Sequence, residues 1–534
     1  MSCDLLVVGA GVAGAFTAAR YQQFFPEDIV CIVERSVTVG GRLRSLPLAR
    51  TNAASNGADE SVGSAESEYQ AELGGMRYFK GVHTLVPAAL EQLGLDTTEL
   101  PYVNADGLAY LRGKLIPLRS LGEEIGSVYN LKPDEVGLSP DALYNKTITK
   151  VLQEHNLSFD DVLSNQYMVN HTMFNVLRDA NLSSEAISAY TDTAGYEWVL
   201  GSNAAIVAQE DLEIEGWGLQ ETFVKTGFQS LVTSLIDLTD AARSNKTNLF
   251  LSKSVTALDW TDEGVVAEVT NVAATPVGAS IARPLAPATT ITAKRAVLTS
   301  NNIQLLAMAE WPWDVKQLIY DVEQIETVKI FIRFSTSWWS KVLTGLGRSV
   351  TTLPLRQVWA YAPNVLMIYG DSNNARFWKP YLEPVAGAVP GWVNVDEVPE
   401  LTEALFTQLS EMFGVPKLDI QLASQDVAFA YWNRCTAFWR AGSNIEGNIA
   451  RSTQPMSNVP IHFASDIWSS KQGWVEGALH QAEAVLKTIG VPSIMDHPLP
   501  PAANGDAAVR RGDKAHRASP PTPTRGDGRL LFDA

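Results

Sequence analysis

An apolar, strand-sized run, Leu5-Leu6-Val7-Val8, feeds directly into Gly9-Ala10-Gly11-Val12-Ala13-Gly14, and this junction constrains the chain more than any other segment. A stretch of helical character follows, from about Ala13 to Phe24. A second apolar run, Ile29 to Val33, ends at Glu34, twenty residues beyond Gly14. The pattern is a β-α-β unit with a G-x-G-x-x-G turn, the arrangement that binds a dinucleotide. Gly9 makes the tight turn, Gly11 lets backbone approach a pyrophosphate, and Gly14 lets helix and strand pack closely. The helix start, at Val12 and Ala13, offers free N–H groups and partial positive charge to phosphates. Glu34 accepts ribose hydroxyls and repels a 2′-phosphate, which disfavours NADP. The plain alternative is a glycine turn in an ordinary β-α unit, and the spacing to Glu34 argues against it.

The rest of the chain divides by composition. Residues 51–66 are rich in Ser, Ala, Asn and Gly and read as a mobile surface loop. From about Pro140 to Ala208 Gly and Pro are scarce and apolar residues recur at three and four, which predicts a helical block. Residues from about Leu249 to Thr299 are β-rich, and about Glu326 to Asp371 is helix-poor. Residues from Pro498 onward read as a disordered tail. Charged residues are 19% of the chain and hydrophobic residues 46%, so there is ample material for a large core. The formal net charge of −18 makes nucleic acid and anionic lipid poor partners. Three cysteines, Cys3, Cys31 and Cys435, are too few for a disulfide framework and lack metal-ligand spacing. Scattered histidines form no triad or metal constellation, so no metal is expected. No apolar run is long enough to span a membrane, and no leader is visible. The expected location is the cytoplasm, with secretion by an unseen route left open.

Gly40-Gly41-Arg42, following Glu34-Arg35, grips a longer dinucleotide a second time. This "ER…GGRLRS" stretch resembles the FAD-binding segment of the flavin amine oxidases. Four further segments resemble that superfamily in order: Ala71–Phe79, Lys253–Trp260, Thr327–Trp339 and Ile461–Leu486. The resemblance spans roughly residues 1–490. It implies an α/β protein of amine oxidase architecture: a Rossmann-like FAD-binding domain, a mixed-sheet substrate domain and an inserted helical subdomain. The FAD domain is expected at 1–80, 221–300 and 451–490, the substrate domain at 81–120 and 301–450, the helical subdomain at 121–220 and the tail at 491–534.

By the same resemblance Gly74, Gly75, Met76 and Arg77 pass close to the flavin ring, Val255 touches the adenine side, and Lys329 sits near flavin N5. Asp466, Gly473, Trp474 and Val475 belong to the C-terminal FAD segment. Two features point toward L-amino-acid oxidases. Arg77 matches the arginine that clamps the substrate carboxylate, and Tyr369, in Ser349–Trp378, matches a tyrosine that bonds the same group. Gly473 and Trp474 match the pair whose carbonyl and ring hold the amine. There are departures. Ser465 and Asp466 stand where the family has glycine and glutamate, so the ribityl contact of the shorter acid is in doubt. The aromatic wall is open between Phe438 and Trp439. Cys435 lacks the paired glycines of flavin-bearing cysteines, so noncovalent FAD is expected.

An amino acid presents a carboxylate, an amine and one Cα–H. A bidentate guanidinium suits the carboxylate, and the cofactor does the redox chemistry. The expected reaction is oxidative deamination of an L-amino acid with O₂, giving a 2-oxo acid, ammonia and hydrogen peroxide. The alternatives are an amine or polyamine oxidase and an amino-acid monooxygenase on the same scaffold; a flavin-binding scaffold acting through protein contacts is a rival of a different class. The partners are the amino acid and O₂, with a homodimer allowed. Trp474, Tyr369, Trp432 and one of Phe438 or Trp439 predict a broad aromatic pocket. Asp192, Glu197 and Asp371 offer the competing reading, a counter-charge for a basic side chain.

Overall fold

The computed structural model describes residues 1–48, 70–99, 107–157, 161–214, 221–241, 247–273, 284–343, 345–383 and 391–500. The expected loop at 51–66 and the tail beyond residue 500 lie outside them.

The first sheet has seven strands. Ser2–Val8 lies parallel to Val30–Val33 on one side and to Pro284–Leu298 on the other. Thr247–Phe250 and Ile461–Phe463 extend the parallel part, while Lys253–Thr261 and Gly264–Val272 form an antiparallel meander at the other edge. The continuous apolar run of the first strand has a physical reason. Leu5 and Val7 enter one core, with helices Val12–Phe24, Gln229–Ala241 and Val475–Thr488; Leu6 and Val8 enter another on the opposite face. A parallel strand covered on both faces has no position for a polar residue.

The second sheet has eight strands, in the order Val393–Asn394, Ser424–Trp439, Val322–Phe334, Val365–Asp371, Gln357–Ala362, Gly347–Thr351, Leu108–Leu111 and Lys114–Pro117. Alternation sets its two faces. Val328, Ile330 and Ile332 pack against helices Ser372–Leu382 and Pro399–Phe413. Phe331 packs on the other face, with Leu73 and Met76. Lys329 shares that face by the same period of two. The helical block runs from Pro140–Glu154 to Ala204–Ile214, and several of its helix starts carry side-chain caps. Ser139 accepts from Ala142 N with Pro140 in the first turn, and Ser183 accepts from Ala186 N.

Three expectations need correction. Helix Leu85–Gln92, assigned with 81–120 to the substrate domain, packs in the nucleotide-side core, and only the hairpin Leu108–Pro117 joins the substrate sheet. Buried Glu476 caps that helix, accepting from the backbone of Thr84, Leu85 and Val86 at 2.7, 2.9 and 2.8 Å. Residues 491–500, assigned to the tail, are packed: Ile494 and Leu499 are buried, and Arg20 donates to the carbonyls of His497 and Pro492. Three prolines interrupt the segment, but its apolar side chains find a core. Cys3 and Cys31 form a disulfide, with Cα atoms 6.1 Å apart. Counting three cysteines ruled out a framework, but neighbouring strands bring two of them together. Among the described residues no helix is long and apolar enough to cross a membrane, and no group of three or more potential ligands stands ready for a metal.

Candidate functional site

Two glycines of the nucleotide turn, Gly9 and Gly14, are sterically required. Gly9 has φ +109°, and a Cβ on Gly14 would lie 2.0 Å from the Gly9 carbonyl oxygen. Gly11 meets only Gly40 and Gly41, its Cβ position being 3.8 Å from Gly41 Cα. Gly40 N donates to Ala10 O at 2.9 Å, so the two glycine motifs, far apart in role on paper, form one cradle. The helix beginning at Val12 has no side-chain cap and no acid in its first turn. Its first N–H groups, through Ala13 and Gly14, are therefore available to a phosphate. Glu34 is buried and fixed by Ala10 N and Ser36 N at 2.8 and 2.7 Å. Lys253 N donates to Glu34 O, which ties the start of the strand that carries buried Val255 to the end of the second parallel strand.

The cations around this cradle fit an anionic dinucleotide. Arg35 Nη1 and Arg44 Nε are buried without hydrogen-bond partners. Burial pushes both guanidiniums down, a cost that a pyrophosphate would offset. Arg42 is committed inside the protein. It pairs with Asp466, donates to Cys435 O at 2.6 Å, and contacts Ser465 Oγ at 3.3 Å. Ser465 Oγ also donates to Asp466 at 2.9 Å. The shorter acid at 466 is thus held by Arg42.

Gly74 and Gly75 run across Arg42. A Cβ on Gly74 would sit 1.9 Å from Arg42 O, and one on Gly75 would meet Leu43 at 2.8 Å and Val475 at 3.9 Å. Met76 is buried beneath. Lys329, also buried, fixes this segment by donating to Gly74 O at 2.6 Å and Glu72 O at 3.2 Å. Burial and the Arg77 charge push its ammonium down to about 7. Glu72, whose carboxylate accepts from Phe228 N and Ser45 Oγ, is pushed up to about 8 by burial.

Arg77, Tyr369 and Lys329 are brought together across the substrate sheet. Lys329 and Tyr369 are register partners, and the ammonium lies 5.0 Å from the Tyr369 ring. Arg77 lies 5.3 Å from the Trp359 ring and 6.0 Å from Phe79. Its Nε faces Glu221 at 3.5 Å, while its Nη1 is buried with no hydrogen-bond partner. Burial disfavours the charged guanidinium, but Glu221, Tyr196 and Tyr369 together outweigh it and keep the group ionised. Burial pushes the Tyr369 hydroxyl well up, so it stays a donor.

Gly473 has φ +81°, and its Cβ position would lie 3.9 Å from Phe438. Phe438 thus borders this turn, while Trp439 is fully buried, with its indole donating to Ser469 O. Trp432 lies behind the glycine segment, donating to Leu73 O at 2.6 Å. Trp474 meets Phe79 and His83 edge-on at 5.3 and 5.1 Å and donates to Glu210 at 3.1 Å. Burial holds His83 down at about 4. His171 follows the end of helix Gln166–Asn170 in extended backbone, with its ring bonded to Tyr167 O. The three acids proposed as counter-charges are engaged: Asp192 by Arg356 and Tyr129, Glu197 by Asn373 and Asn374, and Asp371 by the backbone of Glu197 and Trp198. Sequence reasoning missed Glu221, Glu210, Tyr196 and Trp198. The last two stood in plain view beside Asp192 and Glu197, whose charge drew the attention; nothing local singles out Glu221 or Glu210.

The sequence model of the flavin containing amine oxidoreductases matches residues 17–485, and the chain belongs to that family. Its cofactor is FAD. An uncharacterized protein of Acanthamoeba polyphaga mimivirus is 24% identical over 93% of this chain and 96% of its own length. An L-amino-acid oxidase of Echis ocellatus is 20% identical, covering 89% of this chain and 86% of its own. A putrescine oxidase, solved as a triple mutant redesigned for cofactor binding, shares the fold at a TM-score of 0.60 and 16% identity, over 91% of this chain and 98% of that one.

Proposed function

We propose that the chain is an L-amino acid oxidase holding FAD noncovalently. The observation that carries this reading is the buried, unpartnered Nη1 of Arg77, whose guanidinium lies over the Trp359 ring and within electrostatic reach of Tyr369. An aromatic enclosure with a guanidinium N–H to spare suits a small molecule with a carboxylate. When bound, FAD would supply the redox chemistry, a two-electron oxidation at the substrate Cα–N bond with O₂ as final acceptor. Arg77 and Tyr369 hold the carboxylate at two points, which fixes Cα in one pose; such positioning is worth several kcal/mol, about 7 or more at best. The Gly473 carbonyl accepts from the amine, and Trp474 closes that side. Lys329, poised near neutrality, holds or moves a proton at Nζ.

One observation favours amine oxidation as a second reading. Glu221 gives Arg77 a resident counter-ion, so an empty clamp is not the uncompensated charge that would exclude an amine. Peroxide release from L-Phe, L-Leu, L-Arg, L-Lys and their decarboxylated amines separates the two. Activity confined to the amines would overturn the oxidase reading. Acid precipitation should leave yellow FAD in the supernatant; colour remaining in the pellet would mean a covalent link. The Cys3–Cys31 disulfide supports maturation in an oxidising compartment, against the cytoplasmic expectation.

A further inference from the structure

The segment Thr191–Trp198 leaves the helical block and is latched to the substrate sheet by side chains. Arg356 donates to Thr191 O and, at 3.0 Å, to Asp192. Arg348 donates to Ala194 O, and Gln357 donates to Gly195 O at 2.8 Å; the two are joined to each other at 2.9 Å. Asp371 accepts from the backbone N–H groups of Glu197 and Trp198 at 3.0 and 2.9 Å. Gly195 has φ +76°, and a Cβ there would lie 2.4 Å from Arg348 Nη2. Such a density of directed bonds fixes what the segment presents.

It presents two aromatic rings to the candidate site. Tyr196 meets Tyr369 edge-on at 5.7 Å, and its hydroxyl is among the groups that keep the Arg77 guanidinium ionised. Trp198 lies flat on Phe438, with centroids 3.9 Å apart and planes at 6°, and Phe438 borders Gly473. One ring thus stands at the clamp, the other on the ring that borders the residue expected to hold the amine.

We propose that Tyr196 and Trp198 contact the substrate and set its selectivity, Tyr196 at the carboxylate end and Trp198 as the flat wall for the side chain. The proposal rests on the amino-acid reading and names which residues choose among amino acids. The acids of the segment take no part, because each is used by the latch.

The test compares kcat and KM for L-Phe, L-Ala and phenethylamine in the wild-type holoenzyme, Tyr196→Phe and Trp198→Ala. Trp198→Ala should lower kcat/KM for L-Phe about tenfold relative to L-Ala. Tyr196→Phe should raise KM for both amino acids about tenfold with phenethylamine unchanged. Equal losses on all three substrates, or no change, would overturn the proposal. If Trp198→Ala fails to fold, Trp198→Phe carries the same comparison, with a shift of about threefold expected. If the wild type oxidises no amino acid, the oxidase reading fails separately. The walls are then tested by titrating the flavin absorbance with benzoate and acetate. A preference for benzoate that Trp198→Ala abolishes supports Trp198 as the wall; a preference left intact overturns it.

Discussion

The nucleotide cradle is made of backbone and of side chains that are missing; the substrate face is made of long side chains held by other long side chains. At Gly9, Gly11, Gly14, Gly40 and Gly41 the close approach of two chain segments leaves no room for a Cβ at Gly9, Gly14 or Gly40. At Arg77, Lys329, Tyr369 and Trp474 each functional group is positioned by a partner distant in sequence: Glu221, Gly74 O, Tyr196 and Glu210. The first kind of site tolerates almost no substitution. The second tolerates change at a cost graded by the contact removed, so its specificity is free to vary while the cradle stays fixed.

Substitutions sharpen that contrast. The largest effect is expected at Gly14→Ala, because the new Cβ would sit 2.0 Å from backbone rather than from a movable side chain. The variant should lose its flavin or fail to fold, and the ratio of absorbance at flavin and protein wavelengths measures this. A variant with normal flavin content would break the claim that backbone fit governs the cradle.

Arg77→Ala should cost about 2–4 kcal/mol in kcat/KM for amino acids, roughly 30- to 1000-fold, with flavin content unchanged. Steady-state kinetics on L-Phe and phenethylamine read it. Equal losses on both substrates would place Arg77 in a structural ion pair with Glu221 rather than in a clamp.

Lys329→Met should change stability in a pH-dependent way. The folded-state value of Lys329 is lowered from 10.5 to about 7, so the unfolded chain binds more protons between those values. Its contribution therefore makes stability rise with pH across that window. Removing the amine should flatten the slope by on the order of 2 kcal/mol between about pH 7 and pH 9. Denaturant melts at several pH values would reveal it, and an unchanged slope counts against a buried, desolvated amine.

The smallest effect is a count. Denatured without reductant, the chain should show one reactive thiol, Cys435, and three after reduction. Three thiols at the outset would remove the argument for an oxidising compartment.

What the sequence determined by itself is local. The β-α-β unit, the glycine spacing, Glu34 and the helical block were legible because strand, turn, cap and acid lie within a few dozen residues and each has a steric or hydrogen-bonding reason at its own position. Arg77, Lys329, Tyr369 and Trp474 were legible only as motif positions. Tertiary structure decided what each one faces. It placed Glu221 against Arg77, set Phe438 beside Gly473, turned three acids into a latch, moved helix Leu85–Gln92 to the nucleotide side through a cap from Glu476, and joined Cys3 to Cys31. These pairings join residues far apart along the chain. No local periodicity records them, because the partner of a buried charge or ring is whichever group the packed sheets bring within reach.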